Sequence, residues 1–183
     1  MTDDKAMTDP SITLLQPPQA RDIAEQVAEL YAEVYAEPPY NEGPDDVAAF
    51  TDRYRQQTQQ PGFALAAAYH GHRLVGMAYV ATLEAGRWWR GALDTPSPDI
   101  HAADKAGLYE LAIRRPHRGR GLARQLVHTA LAHRPEAWAV LLVNPDTTAH
   151  TIYQHWGWQP AGLVQPQPGW PVNQAMTHNL PIR

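Results

Sequence analysis

Residues 108–113 form an apolar run interrupted by a single acid, Glu110, and lead through Arg114 into Arg115-Pro116-His117-Arg118-Gly119-Arg120-Gly121. A helical pattern opens immediately afterwards, on Leu122, Leu126, Val127, Ala130 and Leu131. A strand therefore runs into an Arg/Gly turn that starts a helix, which is the arrangement of an anion cradle. The first amides of a helix have no intrahelical partner, and the helix dipole adds positive potential there. Gly119 and Gly121 let the backbone come close to a bulky phosphate, because no Cβ stands in the way. Arg118, Arg120 and Arg124 can add charge-assisted hydrogen bonds. The chain has 13 Arg and only 2 Lys, a bias toward planar guanidinium recognition of anions. A basic surface turn that only caps a helix would carry the same charge. A P-loop does not fit, because no Gly-Lys-Ser/Thr follows. The dinucleotide fingerprint lacks its third glycine, and the order of elements before it is wrong.

That order of elements indicates a mixed α/β fold. Residues 12–15 read as an opening strand, and 21–35 as a helix whose face is Ile23, Val27, Leu30, Tyr31, Val34 and Tyr35. Pro38-Pro39 ends it. A loop at 37–43 leads to a second helix that starts at Pro44, with Asp45 and Asp46 in its first turn. Residues 63–69 and 74–83 read as two strands around a His70-Gly71-His72 turn. No element is assigned to 84–105, and 107–114 is a central strand. The helix 122–133 follows, then a continuous apolar strand at 137–143, as expected where both faces are covered. Ala149, Ile152, Tyr153 and Trp156 mark a short helix closed by Gly157, and 159–164 and 174–178 read as final strands. The expectation is a central sheet, antiparallel early and βαβ-like later.

A length of 183 residues suits one domain, expected over 11–183 behind a flexible tail at 1–10. The chain has no cysteine, which removes disulfides, thiolate catalysis and cysteine-ligated metal sites. No apolar run approaches the roughly 20 residues needed to span a bilayer. The first ten residues are acidic and polar, unlike a secretory signal, so the expected location is cytoplasmic.

Arg118-Gly119-Arg120-Gly121-Leu122-Ala123 matches the pattern Gln/Arg-x-x-Gly-x-Gly/Ala and resembles the acyl-CoA signature of the GCN5-related N-acetyltransferase (GNAT) family. It sits between a strand and a helix, as in that family. Ala149, Tyr153 and the Gly157-Trp158 pair resemble the later Ala…Tyr…Gly-Phe motif, and the element order resembles the family fold over about residues 11–180. There are departures. Asp146 stands where the family often has Asn, and the nearest Asn is Asn144. Trp158 replaces Phe, and Arg115 stands where Pro is usual.

The resemblance implies a GNAT-like mixed central sheet with a splayed parallel strand pair, flanked by about four helices. It implies N-acetyl transfer from acetyl-CoA to a primary amine by direct attack, through a tetrahedral intermediate and without a metal. The cofactor would lie between strands 108–114 and 137–143. Main-chain groups around Leu111, Ala112 and Ile113 would hold its pantetheine arm. The segment Arg118, Gly119, Arg120, Gly121, Leu122, Ala123 and Arg124 would take the pyrophosphate, with Asn144 nearby. The Ile113 amide is the candidate donor to the carbonyl oxygen. Tyr153 suits the acid that protonates the departing thiolate, since a phenol of pKa about 10 is a protonated donor at neutral pH. Against that stands a purely structural aromatic on the same helical face. Glu110 is the candidate base, because desolvation in an apolar strand would raise its pKa. Its bland alternative is a partner for Arg114 or Arg115. The acceptor pocket would draw on Glu37, Tyr40, Asn41, Glu42, Trp88 and Trp89, since carboxylates beside aromatics suit a cationic amine.

The expected partner is a small-molecule amine, with no nucleic acid and no membrane; a homodimer is left open. Two other readings compete: a non-catalytic acyl-CoA sensor, and a protein N-acetyltransferase. Nucleic-acid binding through Arg114, Arg115, Arg118, Arg120 and Arg124 is disfavoured by the net charge of −4. The nine His form no HExxH or compact ligand set, so no metal site is expected.

Overall fold

The computed structural model describes residues 9–182, so the expected tail lies mostly in 1–8, outside the described residues. Among the described residues seven strands form one sheet in the order β1-β2-β3-β4-β5-β7-β6. They are β1 (Ser11–Leu15), β2 (Ala64–His70), β3 (Arg73–Leu83), β4 (Lys105–Ile113), β5 (Trp138–Val143), β6 (Gln159–Val164) and β7 (Asn173–Asn179). Only β4 and β5 pair in parallel; every other neighbour is antiparallel.

The helices are α1 (Pro17–Asp22), α2 (Ala24–Tyr35), α3 (Pro44–Gln57), α4 (Pro98–Ala102), α5 (Leu122–Leu131) and α6 (Thr148–His155). The count exceeds the expected four by two short elements, α1 and α4. Helical periodicity cannot register one or two turns. Pro17-Pro18 do not simply stop β1. They open α1, where the first helical positions have no amide hydrogen bond to lose. The backbone then breaks at Ile23 before α2 begins, so the expected helix at 21–35 is divided.

Two cores cover the sheet, one on each face. On one face, Leu122, Leu126, Val127, Ala130 and Leu131 of α5 pack on Ala66, Ala68, Val75, Ala78 and Val80. On the other, Val27, Leu30 and Tyr31 of α2 and Phe50 and Tyr54 of α3 pack on Leu65, Ala67, Met77 and Tyr79. Burial from both sides explains why β2 and β3 read as unbroken apolar runs. Gly76 lets α5 pack closely, since a Cβ there would stand 3.0 Å from Leu126 Cδ1 and press that side chain aside.

The unassigned segment 84–104 is tied down at both ends. Lys105, fully buried at the start of β4, donates to the carbonyls of Glu84, Ile100, His101 and Ala103, the last at 2.7 Å. Burial lowers its pKa. The middle of the segment bridges to β6 through Ala92 and Val164. At the same end of the sheet as Lys105, the buried pair Arg134–Glu136 clamps Thr82 and the Gly62 carbonyl.

Two irregularities prepare the site. The β4–β5 ladder runs only from Lys105↔Trp138 to Leu108↔Leu141, after which β4 continues alone on that side to Ile113. At the same place β4 carries a bulge: Tyr79 faces Glu110 and Val80 faces Leu108, which leaves Tyr109 as the extra residue. A bulge bends its strand and increases local twist, which turns the end of β4 away from β5.

Leu126 has no exposed surface and anchors α5 to the sheet over Gly76 of β3. Leu126→Ala is expected to cost about 2–5 kcal/mol, read by denaturant unfolding of the full chain.

Candidate active site

The splay leaves a polar edge open. Arg114 N–H donates to the Val75 carbonyl at 2.9 Å, which fixes the alternation of the β3–β4 ladder. Residues 110 and 112 then exchange hydrogen bonds with β3, whereas the N–H and C=O groups of Leu111 and Ile113 point toward β5, where no strand pairs with them. The Ile113 carbonyl accepts from Arg118 Nε at 2.8 Å. Its amide, on the same edge, has no strand partner. The edge faces a groove of about 550 Å³ that continues into a slot of about 240 Å³ between β4 and β5. Tyr35, Tyr40, Leu111 and Ala149 line both. Ala112 belongs with Leu111 and Ile113 in sequence but not in geometry. Its main chain serves β3 and its side chain lies in the aromatic core.

The groove ends at the turn before α5. Gly119 and Gly121 have φ values of 76° and 77°, the left-handed region that glycine adopts freely, and Gly121 caps the helix. A Cβ on Gly119 would meet nothing within 4 Å, so the space over the turn is open to a ligand. The first intrahelical bond of this end is Gln125 N–H to the Gly121 carbonyl, which leaves the amides of Leu122, Ala123 and Arg124 without helical partners. The first turn of α5 carries no acid, and Arg124 sits in it against the preference of the dipole. Gly119, Gly121, Leu122, Ala123 and Arg124 line the groove; Arg120 lies just outside it. This end fits a diphosphate on backbone and charge together.

Arg118 has a second task. Its guanidinium meets Glu37 through two bonds, Nη1 to Oε2 at 2.8 Å and Nη2 to Oε1 at 3.2 Å. The pairing holds the Glu37 pKa below the usual carboxylate range. Glu37 therefore sits beside the phosphate end and outside the slot in which the acceptor was expected. Arg114 is also engaged internally, by Glu33 and by the Leu74 carbonyl. Two of the five clustered arginines are thus held by protein partners.

The Tyr109 bulge places Tyr109 and Glu110 successively on the α2/α3 side of β4, and Leu111 returns to the α5 side. Glu110 lines the slot, and the Tyr35 hydroxyl donates to its Oε1. Desolvation pushes the Glu110 pKa up to about 7 against the opposing effects of Tyr35, Arg53 and the Leu111 amide; Glu42 raises it further. Neither Arg114 nor Arg115 is its partner.

Tyr153 enters the slot from α6, with its ring packed edge-on against Trp156 and Trp158 at 5.7 Å each. Burial and the charge of Glu110 raise its pKa, so it holds its proton. Asn144 also lines the slot, but its Oδ1 accepts Asp146 N–H at 2.9 Å and shapes the loop into α6.

The remaining acceptor-side expectations divide. Tyr40 lines groove and slot. Glu42 lies beside Tyr31, and its Oε2 is buried without a hydrogen-bond partner. Asn41 lines neither cavity. It occupies a left-handed turn position, φ 51°, and bonds the Pro39 carbonyl. Trp88 and Trp89 line neither cavity; Trp89 packs on Tyr109 at 5.4 Å, so it bears on the slot only through that ring. Tyr35 and Arg53 escaped sequence reasoning. Tyr35 scored only as an apolar member of a helical face, and no local pattern relates either residue to Glu110. Among the described residues no group of three or more His, Cys, Asp or Glu is placed to hold a metal ion. No helix among them is long and apolar enough to cross a membrane.

Comparison with known proteins agrees with this geometry. The fold is similar to an aminoglycoside 6'-acetyltransferase type Ii, with TM-score 0.64 and 14% identity over 94% of this chain and 99% of that one. It is similar to Arabidopsis thaliana NAA60 in complex with acetyl-CoA, with TM-score 0.62 and 12% identity over 93% and 99%. A PaiA N-acetyltransferase from Thermoplasma acidophilum in complex with coenzyme A gives TM-score 0.60 and 11% identity over 92% and 99%. No curated protein sequence matches the chain. The family model for the acetyltransferase (GNAT) family matches residues 24–158, most of the sheet and both halves of the groove. With its splayed parallel strands and glycine cradle, the chain belongs to the GNAT family of acetyltransferases.

Proposed function

We propose that this protein is an N-acetyltransferase that moves an acetyl group from acetyl-CoA to the primary amine of a small molecule. The observation that carries this reading is the open edge of β4: main-chain groups of Leu111 and the Ile113 amide, which no strand pairs, lead from the glycine cradle to a slot that holds both Glu110 and Tyr153. Two fold neighbours are complexes with coenzyme A or acetyl-CoA, and a third is named an aminoglycoside acetyltransferase.

Acetyl-CoA would supply the activated acetyl group as a thioester. The amides of Leu122, Ala123 and Arg124 would hold its diphosphate, and Leu111 and Ile113 would bond its arm as an added strand. Glu110 takes a proton from the incoming ammonium, which frees the nitrogen lone pair for attack. The Ile113 amide, expected to meet the oxygen on which charge develops, lines the groove and not the slot, so that donor role falls to the Leu111 amide, which borders both. As the new C–N bond forms and the C–S bond breaks, Tyr153 would give its proton to the sulfur, and the second proton that the nitrogen sheds on becoming an amide would return to Tyr153. A slot of about 240 Å³ between Glu110 and aromatic rings suits a compact cationic amine, and the buried Glu42 oxygen adds negative potential beside it.

The direct test is release of free thiol from acetyl-CoA across a panel of polyamines, aminoglycosides, amino acids and peptides. Release with a small amine supports the proposal. Tight cofactor binding without release from any amine would make the protein a sensor instead. Glu110 works only when ionised, so kcat/KM is expected to rise as pH increases through about 7. Glu110→Gln should remove that acid limb and cost roughly 10²-fold or more in kcat. Tyr153→Phe should lower kcat by a similar order, about 10²-fold, and leave cofactor affinity unchanged. Gly121→Ala puts a Cβ on a left-handed residue at φ 77° and should weaken coenzyme A binding about tenfold or more by titration calorimetry.

A further inference from the structure

Tyr35 meets Glu110 across 75 residues of sequence. It stands at the end of α2 within a row of rings that runs outward from the core. Phe50 stacks on Tyr31 at 3.7 Å, Tyr31 on Tyr35 at 4.3 Å, and Tyr40 closes the row edge-on at 4.8 Å. Tyr31 and Tyr35 are four apart on one helix and so share a face. The ring of Tyr35 is held on both sides, which fixes the position of its hydroxyl before any ligand arrives.

Besides Tyr35, the Leu111 amide and the charge of Arg53 act on the Glu110 carboxyl, and Tyr35 is the side chain that hydrogen-bonds it. A carboxyl at the end of a Glu side chain rotates readily about its last bond. A bond from a fixed phenol to one oxygen removes that freedom. We propose that Tyr35 is a positioning residue for the transfer: its hydroxyl, held by the aromatic row, pins Oε1 of Glu110 and leaves Oε2 as the oxygen that accepts the amine proton. This rests on Glu110 as the base of the reaction proposed above. Tyr35 keeps its own proton throughout, since burial and the charge of Glu110 push its ionisation well above the ordinary range for a tyrosine. The bond also favours the ionised carboxylate, so it keeps the base usable near neutral pH while the apolar surroundings oppose ionisation. The other titratable or charged groups that act on Glu110 are Tyr31 of α2, Glu42 of the following loop, Arg53 of α3, Tyr79 of β3, Tyr40 and Tyr153.

Carbon-13 NMR titration of the Glu side-chain carboxyls in the full chain tests this without acceptor or acetyl-CoA. Glu110→Gln assigns the signal. In the unaltered protein Glu110 is expected to titrate near pH 7, and in Tyr35→Phe about one pH unit higher. Tyr54→Phe serves as the control. It also loses a buried tyrosine bond, to the Ala20 carbonyl at 2.8 Å, but one that does not reach Glu110, and its Glu110 midpoint should stay in place. The Tyr35 Cζ shift of the unaltered protein should follow the Glu110 midpoint, which provides a readout even if Tyr35→Phe does not fold. In turnover, Tyr35→Phe should move the acid limb of kcat/KM upward by the same amount. An unmoved Glu110 midpoint in Tyr35→Phe, an equal displacement in Tyr54→Phe, or a Tyr35 Cζ shift that stays flat through the titration would overturn the assignment. Thiol release tests the transferase reading separately, so the failure of either is recognisable by itself.

Discussion

Two parallel strands that hold together for four residues and then part create everything on which the site depends. β4 and β5 pair from Lys105↔Trp138 to Leu108↔Leu141 and no further. Beyond that point the amide and carbonyl of Leu111 and the amide of Ile113 face a gap, while Arg118 takes the Ile113 carbonyl; buried backbone groups without partners are costly. Such an edge is stable when it faces solvent or a ligand able to replace the missing strand. The bulge at Tyr109 ties the parting to the chemistry, because the residue that bends β4 is also the one that turns Glu110 toward α2. Strand separation and base placement are therefore one structural event.

The electrostatics of the slot are set by its walls. Glu110 faces Tyr35, Tyr153 and the apolar side chains of the slot, and loss of water outweighs the hydrogen bond that opposes it. Tyr153 stands in the same slot with its proton held by burial. A carboxyl made more basic and a phenol kept protonated are the two states that the proposed proton removal and proton delivery require.

The cradle divides its charged groups between structure and ligand. Arg118 belongs by sequence to the phosphate turn, yet its guanidinium joins three pieces of chain: the end of β4 through the Ile113 carbonyl, its own turn, and the loop after α2 through Glu37. The loop fastened in this way carries Tyr40, which lines both cavities, and Glu42. Positive charge for an anionic ligand is left to Arg124 and to the free amides of α5.

Much of this architecture is legible in the sequence. The turn from 118 to 123, the helix on Leu122, Leu126 and Leu131, the doubly covered strand at 137–143 and the helix bearing Tyr153 all arise from periodicity and turn chemistry, which act over a few residues. The elements that escaped are those of only one or two turns, such as α1 and α4, or those held by remote contacts, such as the segment fastened by Lys105. Side-chain direction was less accessible still. Glu37 was expected beside the acceptor and lies on Arg118, 81 residues away. Trp88 and Trp89 were expected in the pocket and lie behind Tyr109. By itself, the order of residues determined which segments become strands and helices, and that a glycine turn would offer amides to an anion, because both depend on neighbours along the chain. Only the tertiary structure decided which way Glu110 points and that Tyr35 meets it. One extra residue in a strand reverses the facing of every residue after it, and where that extra residue falls is set by packing against elements far away in sequence.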